Sequence, residues 1–188
     1  VVGSNIANIF LILGLSAVVG KKLEIKFEII HVDLPLMVSS AFFLLLIVWD
    51  GTVTLPEALL SLGGIVIYIL YNIQSNSKNQ QNKDGNPNKQ NLNFKTWIIL
   101  ITSSFFIFLG ANYTVESVIK LAEILNIGKE IVAISAVALG TSLPELMVSL
   151  SAVRKGNPDL AIGNVLGSNV FNAFAVTGIS GIIGPLVI

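Results

Sequence analysis

The sequence predicts an all-α membrane protein, a bundle of transmembrane helices containing two inverted copies of one motif. Three observations predict it. Of 188 residues, 53% are hydrophobic and only 12% are charged, whereas roughly a quarter of a soluble domain is charged. The apolar residues fall in blocks, and several blocks reach the roughly 20 residues that carry a helix across about 30 Å of hydrocarbon. A twenty-residue segment near the start, Val1 to Gly20, recurs as Val165 to Gly184.

Helical spans are expected at 1–19, 32–49, 55–73, 95–115, 130–153 and 159–180, with a seventh beginning near Ile182. The first span carries the opening motif copy. The second follows the helix entry at His31, Asp33 and Pro35, where a lone histidine reads as interfacial. A turn at Trp49-Asp50-Gly51 separates it from the third, which opens on Thr54-Leu55-Pro56-Glu57. There Glu57 is three residues beyond Thr54 beside a water-facing loop, so helix capping explains it. The stretch from Asn76 to Asn93 is rich in Asn, Gln, Lys and Gly, a composition that buries too little apolar surface to order itself. The chain therefore divides into 1–75, a polar linker at 76–94, and 95–188. Trp49, Trp97, Tyr68, Tyr71 and Tyr113 lie mostly near span ends, as aromatic belts do. Both ends of the chain fall within apolar runs and read as cut from a longer protein.

Eleven basic and eleven acidic residues cancel, so no net field recommends nucleic acid. Cysteine is absent, which excludes disulfides and thiolate metal sites. Orientation follows from the basic residues, because Lys and Arg concentrate in cytoplasmic loops. One set of loops holds Lys21, Lys22, Lys26, Lys78, Lys83, Lys89, Lys95, Arg154 and Lys155, and the other only Lys120 and Lys129. The 76–94 linker is thus expected in the cytoplasm.

The two motif copies match at a constant offset of 164 through Val1, Gly3, Ser4, Asn5, Asn8, Phe10, Gly14, Ser16 and Gly20. They occupy the first and sixth spans, and an odd shift in span number reverses direction. Inverted repeats about a midplane site are a transporter architecture.

Of the acidic residues, Glu145 alone lies in the middle of a span. A carboxylate at that depth costs about 2.5 to 3.5 kcal/mol on insertion scales and usually faces a cavity or a partner. A structural role, satisfied by a neighbouring helix, is the alternative. Around it runs Ala138-Leu139-Gly140-Thr141-Ser142-Leu143-Pro144-Glu145. Pro144 has no N–H and crowds the carbonyl of Gly140, so a bend or break is expected there, with a free carbonyl near midplane. Thr141 and Glu145 are four apart, as are Ala138 and Ser142, so hydroxyls, carbonyls and carboxylate can converge. An all-oxygen cluster suits calcium or sodium rather than zinc or copper. Ser142-x-x-Glu145 also has the form of a capping box, but its depth argues against that role. Ser168 and Asn172 share a helix face, as do Ser4 and Asn8, and can complete the coordination. For Asn5 and Asn169 helix packing is an equal explanation, since Gly163-x-x-x-Gly167 brings backbones close.

These residues resemble the signature of the calcium/cation antiporter superfamily, in particular its prokaryotic sodium/calcium exchangers. Ala138 to Ser149 (ALGTSLPELMVS) with Gly163 to Asn172 (GNVLGSNVFN) is similar to the second alpha-repeat, and Gly3 to Asn8 to the close of the first. The resemblance implies a ten-helix architecture of which this chain covers about helices three to eight and the start of nine. It implies that Glu145 is the central carboxylate shared by sodium and calcium. Thr141 and Ser142 would then coordinate through oxygen and Ala138 through its carbonyl. Ser168, Asn172, Ser4 and Asn8 would line the remaining positions. Subtracting the repeat offset from Glu145 places the partner glutamate about twenty residues before Val1. Asn172 departs from the aspartate such exchangers often carry, which removes a titratable charge.

The expected activity is exchange of calcium for sodium by alternating access at a midplane all-oxygen site, with proton or potassium coupling as the alternative. A membrane-embedded enzyme using Glu145 and Asn172 would want a second catalytic group at midplane, and none is visible. No cofactor is expected. The expected partners are calcium and sodium ions and the lipid bilayer of a prokaryotic cytoplasmic membrane.

Overall fold

The computed structural model describes residues 1–20, 29–81, 94–125, 129–184 and 186–187. Among the described residues, six helices are long and apolar enough to cross a membrane. They are α1 (Val2–Gly20), α2 (Leu34–Val48, entered through a π-helical turn at Ile29–Asp33), α3 (Leu55–Gln81), α4 (Phe94–Ile124), α5 (Lys129–Arg154) and α6 (Pro158–Ile183). All six expected spans are present, and two run longer than hydropathy suggests. α3 continues through Gln81, into the expected linker, and α4 covers 31 residues. The rest of the linker, 82–93, lies outside the described residues.

Local chemistry sets the turns. Gly51, at φ 78°, and Gly156, at φ 77°, take the left-handed conformation that only glycine adopts without strain. At the second turn, Gly156 N–H donates to Val153 O and Asn157 N–H to Ala152 O. This Schellman closure satisfies the last carbonyls of α5. Pro158 then opens α6 within its first turn, where a missing N–H costs nothing. The result is a tight antiparallel pair, α5 against α6, with α4 packed on the other side of α5 and α1 crossing both α5 and α6. Helices α2 and α3 pack on α6.

Burial is inside out relative to a soluble protein. The buried polar residues include Ser4, Asn8, Ser16, Ser40, Ser61, Ser142, Ser149, Asn169 and Thr177, while Phe10, Phe42, Leu60, Ile67, Phe106 and many other large apolar residues are exposed. Lipid tails are as apolar as leucine, so an outward Leu or Phe loses nothing there, whereas small and polar residues gain by meeting other helices. Close approach is built in by glycine. A Cβ at Gly140 would overlap Val115 Cγ2 of α4, and one at Gly3 would lie 3.0 Å from Ala138 Cβ.

Of the bend or break expected at Pro144, the break is absent: α5 stays helical from Lys129 to Arg154 with the proline inside. Losing one backbone bond and crowding one carbonyl is tolerated where neighbouring helices hold both ends. No seventh helix starts at Ile182 within the described residues. α6 ends at Ile183, Gly184 is extended (φ −176°, ψ 159°), and Leu186–Val187 pair antiparallel with Thr52–Val53. The residue before a proline is pushed out of the helical region, and Gly184 precedes Pro185.

The backbone irregularity sits elsewhere. α1 turns π-helical over Asn8–Leu13, and α6 does so over Asn172–Val176. Both segments begin at the same asparagine of the repeat. Their flanks differ. Phe174 tilts against Phe43 at a centroid distance of 5.5 Å and presses on Gly64, while its counterpart Phe10 is 77% exposed. A Cβ at Gly178 would meet Leu62 and the carbonyl of Ala58 within about 3 Å, and one at Gly14 would meet nothing.

Candidate functional site

The site is built where α1 crosses α6. Asn8 Nδ2 donates to Ser168 Oγ (3.0 Å) and to Asn169 Oδ1 (2.9 Å). Asn172 Nδ2 donates to Ser4 Oγ (3.1 Å) and to Asn5 Oδ1 (3.0 Å). Applying the offset of 164 turns the first pair of bonds into the second. The backbone follows the same rule, with Asn5 Nδ2 reaching Asn169 O at 3.4 Å and Asn169 Nδ2 reaching Asn5 O at 3.5 Å. Reciprocal contact, i to j and j to i, is the mark of a two-fold relation. The inverted repeat read from sequence is thus a physical crossing, and Asn5 and Asn169 belong to it as bridges between helices.

Each central asparagine spends both amide hydrogens on the opposite copy. Its carbonyl oxygen is left over, and Asn8 Oδ1 is buried without a hydrogen-bond partner among the described residues. An amide oxygen has lone pairs and no proton, so such an atom asks for a donor or a cation.

Helix α5 supplies the third wall. Ser142 is buried and donates to Ser4 O at 3.3 Å, so its hydroxyl ties α5 to α1 and does not cap a helix. Thr141 donates to Val137 O (3.0 Å) and Ala138 O (3.1 Å), leaving its oxygen lone pairs at the surface of α5. Glu145 is half-buried, and its Oε2 bonds to nothing among the described residues. Among the described residues no lysine or arginine pairs with it. By contrast Glu57 Oε2 accepts from Thr54 N (2.8 Å) and Thr54 Oγ1 (2.6 Å), which is the capping role its position suggested.

Glu145 lines a cleft of about 800 Å³ together with Thr141, Asn164, Ser168 and Asn172, and α4 closes it with Phe108, Ala111, Asn112 and Val115. A second cavity of about 490 Å³ on the α1 side is lined by Ser4, Ala138, Thr141 and Asn172 among others. Thr141 and Asn172 belong to both, so they stand between the two spaces. Of the eight sequence-derived site residues, Glu145, Thr141, Ser168, Asn172, Ser4 and Ala138 line one or both cavities. Ser142 and Asn8 line neither and hold the crossing together from within.

Two cleft residues escaped the sequence reading. Asn164 donates through Nδ2 to Glu145 O (3.1 Å) and Ser149 Oγ (3.0 Å). Asn112 stands on α4 at i, i+3, i+4, i+7 spacing with Phe108, Ala111 and Val115. A search for buried charge passes over amides, yet both sit well inside apolar spans, and Asn164 extends the four-residue row of Ser168 and Asn172 by one turn. Among the described residues no group of three or more His, Cys, Asp or Glu gathers to hold a metal. The donors are hydroxyls, amides and one carboxylate, which favour hard cations.

Fold and site together define an integral membrane helix bundle with a carboxylate-bearing cleft beside an inverted-repeat crossing. The chain belongs to the Sodium/calcium exchanger protein family, whose profile matches residues 1–74 and 95–188. It is 29% identical over 194 residues to the Putative antiporter CaxA of Alkalimonas amylolytica, covering 99% of this chain and 60% of that protein. It is 47% identical over 87 residues to the Sodium/calcium exchanger MaX1 of Methanosarcina acetivorans, covering 46% of this chain and 25% of that one. The structure superposes on the sodium-calcium exchanger NCX_Mj soaked with zero Na+ and Ca2+ with a TM-score of 0.76 at 27% identity, over 98% of this chain and 58% of the other. The chain spans about three-fifths of the length of such relatives.

Proposed function

We propose that this chain forms the greater part of an antiporter that exchanges calcium for sodium by alternating access. One observation carries the reading: the Glu145 carboxylate stands half-buried in a cleft where Thr141, Asn164, Ser168 and Asn172 interrupt an apolar wall, with Oε2 bonded to nothing among the described residues. An ionised carboxylate deep in a bilayer is costly, and a hard cation offsets that cost by binding to it.

The two motif copies rock about the crossing of α1 and α6, opening the cleft to one side and then the other. Calcium and sodium compete for the same oxygens, so one gradient drives the other ion. A calcium ion needs two negative charges for local neutrality. Glu145 supplies one, and a Gly-Thr-Ser-x-Pro-Glu-like stretch about twenty residues upstream of Val1 supplies the other. Thr141, Ser168 and Asn172 contribute oxygens at the cleft, and Ser4 and Ala138 at the adjoining cavity. Asn172 carries no charge, which removes one proton-binding group and favours sodium over protons as the driving ion. The protein resides in a prokaryotic cytoplasmic membrane with the 76–94 linker in the cytoplasm, as the basic residues direct.

Calorimetric titration of the purified full-length protein tests this. Calcium binding is expected to weaken in proportion to added sodium, as it must when two ions share one site. Independent, additive binding of the two ions would refute the exchange reading.

A further inference from the structure

The cleft contains an oxygen to which the sequence-derived site gives no role. Asn164 is part of the cleft wall, four residues before Ser168 and eight before Asn172 on α6, so the three side chains form a row on one face with about 6 Å of rise per step. The orientation of its amide is fixed chemically. Nδ2 faces the carbonyl of Glu145, which can only accept, and also Ser149 Oγ. Ser149 in turn gives its own proton to Ala161 O at 3.4 Å, so it too stands as an acceptor toward Asn164. Both amide hydrogens are therefore spent, and a flip of the amide would set oxygen against oxygen. Asn164 Oδ1 accepts no hydrogen bond among the described residues.

Asn8 and Asn172 show the same arrangement, with both hydrogens held by protein acceptors and the carbonyl oxygen left over. In Asn164 the pattern recurs one turn before Ser168, with Nδ2 bonded to the backbone carbonyl of Glu145. We propose that Asn164 Oδ1 is a further cation ligand, one helical turn nearer the α5–α6 turn than Ser168, at which a calcium or sodium ion is held before or after it reaches the Glu145 carboxylate. Its Nδ2 bonds keep that oxygen at a fixed distance from the glutamate, so ion and carboxylate meet without rearrangement. The inference rests on the exchange reading, because it names a further contact for the same ions.

The test is calcium uptake into liposomes containing the full-length protein, measured against internal sodium. Asn164→Ala removes the oxygen and the tie to Glu145, whereas Ser149→Ala loosens the same tie and removes no oxygen that faces the cleft. Asn164→Ala is expected to raise the KM for calcium about tenfold, the effect of losing one contact to a charged group, with Vmax changed much less. Ser149→Ala keeps the Asn164 oxygen and its bond to Glu145 O, so its shift in KM should be clearly smaller than that of Asn164→Ala. Equal shifts in the two variants, or an unchanged KM in Asn164→Ala, overturn the proposal and leave Asn164 as a helix tie. If Asn164→Ala does not fold, Asn164→Ser replaces it, since it keeps a donor but withdraws the oxygen. The same direction of shift supports the ligand role and an unchanged KM refutes it. A wild-type protein without sodium-dependent calcium uptake would instead defeat the exchange reading itself.

Discussion

Two segments of this chain spell nearly the same word and do opposite things. Thr54-Leu55-Pro56-Glu57 and Ser142-Leu143-Pro144-Glu145 differ only in the hydroxyl residue. In the first, the glutamate folds back on Thr54 and satisfies its N–H. In the second, the serine hydroxyl crosses to Ser4 on another helix and the glutamate is left facing a cleft. Placement decides the outcome. At a helix start the unpaired N–H groups attract the carboxylate, whereas mid-helix those groups are already bonded and the carboxylate must find something else.

The sharpest way to break this comparison is to neutralise each glutamate in turn. Glu145→Gln is expected to abolish calcium uptake while the protein still inserts and purifies. Uptake at the wild-type rate would mean that the cleft carboxylate is a packing feature like its counterpart. The prolines come next. Pro144 denies the Gly140 carbonyl its helical donor, so Pro144→Ala is expected to stabilise α5 by up to about 3 kcal/mol while slowing exchange, as measured by melting in detergent beside transport. Pro56 lies in the first turn of α3, where N–H groups have no helical partner. Pro56→Ala should therefore change melting by less than about 0.5 kcal/mol. Equal effects at the two sites would show that Pro144 carries no strain worth relieving.

Much of this was legible in the sequence, and what was not has physical causes. The offset of 164 announced the crossing, because a side chain duplicated at the same depth of an inverted copy meets its own partner's counterpart. Asn8 and Asn172 were found that way. The π-helical turns that start at those asparagines were not, since one extra residue per turn leaves no trace in hydropathy. At Pro144 the sequence leaves bend and break open, and the break does not occur. A single lost backbone bond does not break a helix clamped by Gly140 against Val115 on one side and by the Ser142 bond to Ser4 on the other. Asn164 was missed because its significance lies in which way its amide points, and that is set by Glu145 O and Ser149 Oγ, fifteen or more residues away. The contrast between Phe10 and Phe174 makes the same point: identical letters in a repeat acquire different neighbours, and only the polar crossing is obliged to stay symmetric.

The hydroxyls allow a finer test. Thr54→Ala removes a cap and is expected to cost about 1 kcal/mol. Ser142→Ala removes one interhelical bond, worth about 0.6 kcal/mol on average in a membrane. Thermal unfolding should rank them in that order, although Ser142 is the more deeply buried of the two. The reverse order would mean that the Ser142 contact with Ser4 carries more of the α1–α5 crossing than its 3.3 Å length suggests.

The smallest expected effect on transport is the most informative control. Glu57→Gln keeps an oxygen that can still accept from the Thr54 N–H and loses only the charge. Near a helix N-terminus, that charge contributes about 0.3 to 1 kcal/mol. Melting should fall by no more than that, and calcium uptake should keep both its rate and its KM. The pair Glu57→Gln and Glu145→Gln thus makes the same chemical change, one carboxylate to one amide, within the same three-residue context of Leu, Pro and Glu. If transport falls in both, charge somewhere in the protein is what matters, and the cleft loses its special standing. If it falls only in Glu145→Gln, the cause is the place where that charge is held.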